Sequence, residues 1–457
     1  MAQTIEREKQ RVRKEISEFG MLEKKIAEKR YKAPHLRDFK ELITHCKKAL
    51  EKDVYVSLLR IVKGYPPAEQ SGRLAEFRFN LKHFRQLMLN FLLSSSDIPR
   101  ELYFLSDLFL EYNKCNAKYL ICVSEEIATL PLSYILRQLG LDEVCPIFWN
   151  SIKNREFYFV QVTPGLKSTK SSEDWPIMLH EFAHIICCEQ KIEDRYFPAV
   201  SVYDALQVME LLYTRRLPPN APLVETSTKK LYAAEYLADF LVTRCFGATF
   251  GWRFVEEYVD LRDIFEPDRT HPPPDRRLEK IASEVGTELN MPDFSELLRS
   301  KIEIMIGEFK SLVDERIIQL DVDAILKDVD SALKNVLKEI RKRYEYSLTP
   351  EKIRENIRES QWFQVLSKMQ DRRKIETQID KHRLPNFLKE LGRNFRKGTP
   401  IIVDPPTLYF IFMSEFATPT TSKRVLASKR EIERRELLNE LIADSIRLFA
   451  VQRLFSS

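Results

Sequence analysis

Glycine is scarce in this chain, and that scarcity limits the folds that are open to it. Only 11 of 457 residues are glycine, whereas globular proteins contain about 7% on average. Phosphate-binding loops need glycine because a side chain would keep the backbone away from the phosphate. None of the patterns G-x-G-x-x-G, G-x-x-x-x-G-K-[ST] or G-x-S-x-G occurs. The sequence therefore gives no support to a nucleotide-binding fold or to a serine hydrolase.

The composition is that of an ordinary globular protein. Hydrophobic residues make up 44% and charged residues 31% of the chain, which predicts a sizeable core rather than disorder. The 73 basic and 68 acidic residues give a net charge of +5, which argues against a dedicated polyanion binder. Seven cysteines without a C-x-x-C pair favour a reducing compartment. Because no run of 18 apolar residues occurs, we predict a cytoplasmic protein without a membrane span.

The N-terminal segment has the pattern of an amphipathic helix. Ile5, Val12, Phe19 and Ile26 follow one another at intervals of seven residues in an otherwise charged segment, which places them in one apolar stripe. The positions between them are mostly polar, so a long coiled coil is not expected. We predict a helix that docks on its own protein or on a partner.

Two short segments have the composition of β-strands. Residues 118–123 and 156–162 are rich in aromatic and β-branched side chains and lie between polar turns. The remaining patterns are helical, so we predict an α+β fold that is mostly helical. The expected organisation is a helical region at 1–113, a small-sheet core at 114–290 and a helical region at 291–457.

The motif with the clearest chemistry is H-E-x-x-H, formed by His180, Glu181 and His184. On a helix, a spacing of four places both imidazoles on one face about 5–6 Å apart at their bases, where they can share one cation. Glu181 projects about 100° around the helix, from where it can reach a metal-bound water. The motif occurs by chance in a chain of this composition on the order of once in a hundred. The alternative is a helix that merely carries two histidines.

A second helix, predicted from Thr228 to Gly247, supplies two carboxylates. Glu235 and Asp239 are four residues apart and share one face of a largely apolar helix, where unpaired charges are costly. A catalytic zinc ion needs a third protein ligand and one open position. We predict Glu235 as that ligand and Asp239 as the acceptor for the distal N–H of a ligating histidine. The alternative is an acidic edge that faces solvent.

Three motifs in this order resemble those of a known protein family. "HEFAH" at 180–184, "EYLAD" at 235–239 and "THPPPDRRL" at 270–278 resemble the motifs of the HtpX/CAAX-prenyl-protease group of gluzincin zinc metallopeptidases. The resemblance covers about residues 155–280, and 159–167 looks like the edge strand and turn that precede the active-site helix in that group. It implies a zincin-like core, zinc on His180, His184 and Glu235, catalysis by Glu181, and His271 and Arg277 near the site.

Each of the last two residues has an alternative interpretation. His271 is followed by three prolines that hold the segment extended, which suits a donor to an oxyanion or a reversible extra zinc ligand. The alternative is an exposed loop histidine. Arg277 could pair with Asp239 or Glu235, or it could be a solvated arginine.

Residues 368–397 form the most basic stretch, with ten Lys or Arg against four acids, a local net charge of +6. This stretch could bind nucleic acid or an acidic partner, although basic helical faces are commonly just solvated.

These patterns together predict a zinc-dependent metallopeptidase that acts on a protein or peptide substrate. Zinc would lower the pKa of a bound water, and Glu181 would accept its proton as general base while the water attacks the peptide bond. We expect the strand at 156–162 to hold the substrate extended by backbone pairing. The alternative is a regulatory or scaffolding protein with a peptidase-like metal-binding core, whose helical flanks bind a protein partner or nucleic acid.

Overall fold

The computed structural model has an α+β fold that is mostly helical with one small sheet, as predicted. The residues that the structure describes are 2–28, 34–95, 98–124, 128–152, 156–162, 172–192, 195–218, 221–260, 270–309, 321–344, 346–360, 363–364, 379, 387–388, 391, 401–416 and 429–456. The ten basic residues of the 368–397 stretch lie outside these residues, so its predicted interface stays a prediction.

The helices and strands follow one another along the chain with short connections. The first part contains α1 (Ala2–Ser17), α2 (Phe19–Glu28), α3 (Pro34–Gly64), α4 (Pro67–Ser94), α5 (Arg100–Tyr112), β1 (Tyr119–Val123), β2 (Ala128–Pro131), α6 (Leu132–Gln138), α7 (Leu141–Val144), α8 (Pro146–Ile152) and β3 (Tyr158–Val162). The second part contains α9 (Trp175–Glu189), α10 (Val202–Tyr213), α11 (Pro222–Phe246), α12 (Ala248–Asp260), α13 (Pro274–Thr287), α14 (Pro292–Phe309), α15 (Val322–Arg343), α16 (Pro350–Glu359), α17 (Pro405–Phe416) and α18 (Lys429–Ser456).

The chain divides into two compact units whose boundaries differ from the three predicted regions. The first unit contains Met1–Ile98 and Asn116–Ser168, and the second contains Pro99–Cys115 and Thr169–Ser457. The predicted region 114–290 therefore contributes its strands to one unit and its motif helices to the other. The physical reason is that the strands are buried against the N-terminal helices.

The sheet of the first unit has the strand order β1-β3-β2. Strand β3 pairs in parallel with β1 and antiparallel with β2. Both predicted strands are confirmed, but the expectation that 156–162 is an edge strand is wrong. Because both backbone edges of β3 are already paired, this strand has no free edge for a substrate.

The core of the first unit contains the N-terminal apolar stripe. Val12, Phe19 and Ile26 are buried and pack with residues of α3 and α4 in one hydrophobic cluster. The helix therefore docks on its own protein. Phe159 of β3 stacks on Phe91 with 4.5 Å between ring centroids, so the same cluster covers the sheet.

The second unit is helical in its described part, and α11 is its central helix. Every residue from Leu231 to Phe246 is buried, which is the pattern of a helix surrounded by others. The helix ends at Gly247, whose φ of +58° is accessible to glycine at little cost. None of the described helices combines the length and the apolar character that crossing a lipid bilayer requires.

Candidate metal centre

The two histidines are presented by α9, whose start is fixed by buried polar contacts. Asp174 immediately precedes the helix and forms a buried ion pair with Arg253 of α12. The hydroxyl of Tyr409 on α17 donates a 2.5 Å hydrogen bond to the carbonyl of Ser172. These contacts fix the direction in which the helix leaves its first turn, while its apolar residues are buried in the unit.

The imidazoles of His180 and His184 point to one place, as the spacing predicted. Their Nε2 atoms lie 3.2 Å apart, and the rings meet edge to face with centroids 4.8 Å apart. Glu235, from the buried middle of α11, joins them: its Oε2 lies 3.1 Å from His180 Nε2 and its Oε1 lies 3.3 Å from His184 Nε2. The three side chains predicted as ligands therefore converge.

The donor set and its spacing fit one small divalent cation. Ligands at about 2.0–2.1 Å from a tetrahedral centre are about 3.3–3.4 Å from one another. The three separations of 3.1, 3.2 and 3.3 Å are close to that value. His180, Glu181 and His184 also form a group that could hold a metal ion, with ligand atoms within 4.8 Å of one another. Because the contacts of Glu235 with both imidazoles are shorter, Glu235 is the better third ligand.

Asp239 determines which nitrogen of His180 faces the cluster. Its Oδ1 lies 3.0 Å from His180 Nδ1, so in the neutral imidazole Nδ1 carries the proton and Nε2 presents a lone pair to Glu235. Two acceptors at 3.1 Å repel each other unless a proton or a metal cation lies between them. Burial lowers the pKa of His180, but Glu235 and Asp239 outweigh it and raise that pKa to about 10. The pocket therefore favours positive charge.

Arg277 ties the two carboxylates of α11 together. Its Nε and Nη2 donate 2.7 Å hydrogen bonds to the two oxygens of Asp239, and its Nη1 lies 3.0 Å from Glu235 Oε2. The guanidinium also lies over the ring of Phe254 at 4.7 Å. Arg277 is only 2% exposed; the interpretation as a solvated arginine is wrong, and both predicted pairings are present.

The carboxylates stay ionised although they are buried. Burial raises the pKa of Glu235, but His271, Arg277 and His180 outweigh it and hold that pKa well below its usual range. Burial likewise raises the pKa of Asp239, and Arg277 together with His180 brings it below its usual value. The interpretation of Glu235 and Asp239 as a solvent-facing acidic edge is therefore wrong.

Glu181 and His271 lie beside this cluster and are more accessible than its other members. Glu181 is half-buried on α9. His271 is 55% exposed, and its Nε2 lies 3.8 Å from Glu235 Oε1, while its Nδ1 lies 2.8 Å from the hydroxyl of Thr270. The chain returns to the ligand helix at His271 as the motif resemblance implied. The roles of both residues stay predictions.

Some residues that build the site were not predicted from the sequence. The ion pair between Asp174 and Arg253 joins residues 79 positions apart, and Phe254 lies beneath Arg277. Asp174 directly before the motif helix has the position of a helix-capping residue, which was the one available signal. Nothing in the spacing of Arg253 or Phe254 points to the site.

Comparison with known proteins adds no relative: no family model, no curated protein sequence and no solved structure matches this chain. The resemblance of the three motifs to the HtpX/CAAX-prenyl-protease group therefore stays a prediction, and so does the zincin-like core.

Proposed function

We propose that this protein is a zinc-dependent metallopeptidase. The observation that carries the proposal is the convergence of His180 Nε2, His184 Nε2 and the Glu235 carboxylate, with Glu181 beside them on the same helix. Two imidazoles and one carboxylate are a donor set of catalytic zinc sites, because three protein ligands leave a fourth position open. Peptide bonds are proposed as the substrate on the resemblance of the three motifs.

Each neighbouring residue has a task that its contacts suit. When bound, zinc would act as a Lewis acid toward a carbonyl oxygen or a water molecule. The Glu181 carboxylate would accept a proton from the attacking water and return it to the leaving amine. The Nε2 of His271 would donate to the developing oxyanion. Arg277 does not suit that role, because its Nε, Nη1 and Nη2 already contact Asp239 and Glu235; it would hold the ligand carboxylate in place.

The test joins metal analysis with a matched pair of substitutions. Glu181→Gln should keep the metal and the fold while cleavage falls by roughly 10²–10⁴-fold, because the amide cannot accept the proton. Glu189→Gln, the same change at the far end of α9, should leave cleavage unchanged. Cleavage products would be found by comparing new peptide N-termini in cell extracts treated with each variant.

Two outcomes would contradict the proposal. A purified protein that holds no zinc would remove its basis. A protein that holds zinc, but generates the same termini with Glu181 and with Gln at that position, would instead favour a metal-binding regulatory or scaffolding protein.

A further inference from the structure

The connection between α10 and α11, here called the hairpin tip (residues 211–224), places large apolar side chains in solvent. Leu211 is 37%, Tyr213 is 59% and Leu223 is 46% exposed. These side chains are not needed for the packing of the two helices, which share a small core of their own. That core consists of Val200, Ala205, Val208, Met209, Val224 and Leu231.

The hairpin tip also carries charge of one sign. No acidic residue occurs between Glu210 and Glu225, and the charged residues in between are Arg215 and Arg216. Both arginines are exposed. Long basic side chains beside exposed leucine and tyrosine suit an interface that is apolar inside and negatively charged at its surface.

The backbone of the hairpin tip satisfies its own donors. The N–H groups of Thr214, Arg215, Arg216 and Leu217 donate to the carbonyls of Glu210, Leu212 and Leu211, and that of Ala221 donates to Pro218. Pro218, Pro219 and Pro222 have no N–H to satisfy. Every backbone donor from 214 to 221 that the structure describes is therefore paired within the hairpin.

This pairing distinguishes a lipid surface from a peptide partner. A segment that enters a membrane interface loses water as a hydrogen-bond partner, so its backbone groups must be satisfied internally. A partner that binds by backbone pairing needs the opposite, a row of open donors. Tyrosine suits the interface because its ring is apolar and its hydroxyl reaches the headgroups.

We propose that the hairpin tip binds the surface of membranes that carry anionic headgroups. Leu211, Tyr213 and Leu223 enter the boundary between headgroups and acyl chains, and the two arginines pair with the headgroups. Because Leu223 and Glu235 lie on one helix, twelve residues apart, the docked surface lies about 18 Å along α11 from the metal centre. This docking does not depend on peptidase activity.

The test uses the full chain and vesicles, with no measurement of cleavage. Flotation is measured with vesicles of phosphatidylcholine alone and of phosphatidylcholine mixed with phosphatidylserine. The protein should float with the mixed vesicles, and serine at the three apolar positions of the tip should weaken that binding about tenfold or more. Serine at equally exposed positions of α18 should not. The test variant is Leu211→Ser, Tyr213→Ser and Leu223→Ser; the control is Leu448→Ser, Val451→Ser and Leu454→Ser.

A charge variant provides a second measurement. Arg215→Glu with Arg216→Glu should abolish the preference for mixed vesicles, and added salt should weaken the binding of the unmodified chain. Equal flotation of the test and control variants would overturn the proposal, as would no flotation of the unmodified chain with either vesicle. An oligomer in sedimentation that the tip substitutions dissociate, with vesicle binding unchanged, would also overturn it and identify the tip as a protein contact.

Discussion

Helix α11 inverts the usual distribution of side chains in two different ways. At its start, Leu223 is 46% exposed, whereas Glu235 and Asp239 in its middle are 9% and 2% exposed. Proteins normally bury leucine and expose carboxylates. Both departures mark candidate sites, but their energetic origins differ: a buried charge must be paired, whereas an exposed leucine can be tolerated singly.

The two regions also differ in what surrounds them. The buried carboxylates are held by Arg277 and His180 in a closed set of contacts, so that every member depends on the others. The hairpin tip is held by its own backbone hydrogen bonds, and its apolar side chains contribute little to the fold. We therefore expect substitutions in the middle of α11 to alter metal binding and stability together, and substitutions at the tip to alter neither.

The largest effect is expected for loss of a ligand opposite α11. His184→Ala leaves Glu235 and His180 without the third donor, so the chain should lose most of its bound metal, measured as about one zinc per chain before the change. His83→Ala, at an exposed position of α4, is the control and should keep its metal. If His184→Ala retains full metal content, the ligand set is wrong and the buried charges need another explanation.

Substitution of His271 would separate a donor from a ligand. His271→Ala should lower the rate of cleavage about 10²-fold, because a developing oxyanion loses one donor, and His271→Gln should recover part of the rate. Zinc affinity from a competition titration should stay within a few-fold for a donor and fall for an additional ligand. Unchanged rate together with unchanged zinc affinity would contradict both roles.

Asp239 connects metal affinity with stability. Asp239→Ala should weaken zinc binding about 10–100-fold, because His180 loses the acceptor that orients it. It should also lower the free energy of unfolding by about 3–5 kcal/mol, because Arg277 is left buried with part of its charge uncompensated. Chemical denaturation and zinc titration measure the two effects, with Asp275→Ala as the control on the first turn of α13. Equal zinc affinity of the two variants would remove Asp239 from the site.

The smallest effect is expected at the hairpin tip. Leu211→Ser and Leu223→Ser should each change the free energy of unfolding by less than about 0.5 kcal/mol, because both side chains are largely outside the core. The measurement is chemical denaturation, beside Val224→Ser, which alters a fully buried neighbour and should cost about 2–4 kcal/mol. A tip substitution as costly as Val224→Ser would show that the exposed side chains support the fold and would end the comparison.

The strands show how far local pattern reaches. The residues of β1 and β3 were predicted because aromatic and β-branched side chains are dense there. The short strand β2, with the residues Ala-Thr-Leu-Pro, has no such density and pairs only because β3 offers it a backbone edge. Strand order is likewise a property of pairing between distant segments, so the sequence could not tell an edge strand from a central one.

What the sequence by itself determined is the part of the site that rests on helical spacing. An interval of four residues places His180 with His184, and Glu235 with Asp239, on one face each, wherever the two helices lie. Only the tertiary structure decided that these faces meet, that Arg277 spans both carboxylates and that Arg253 fixes the start of α9. The physical reason is range: backbone geometry determines contacts within a helix, whereas burial and charge pairing join residues 38 to 79 positions apart only once the helices have packed.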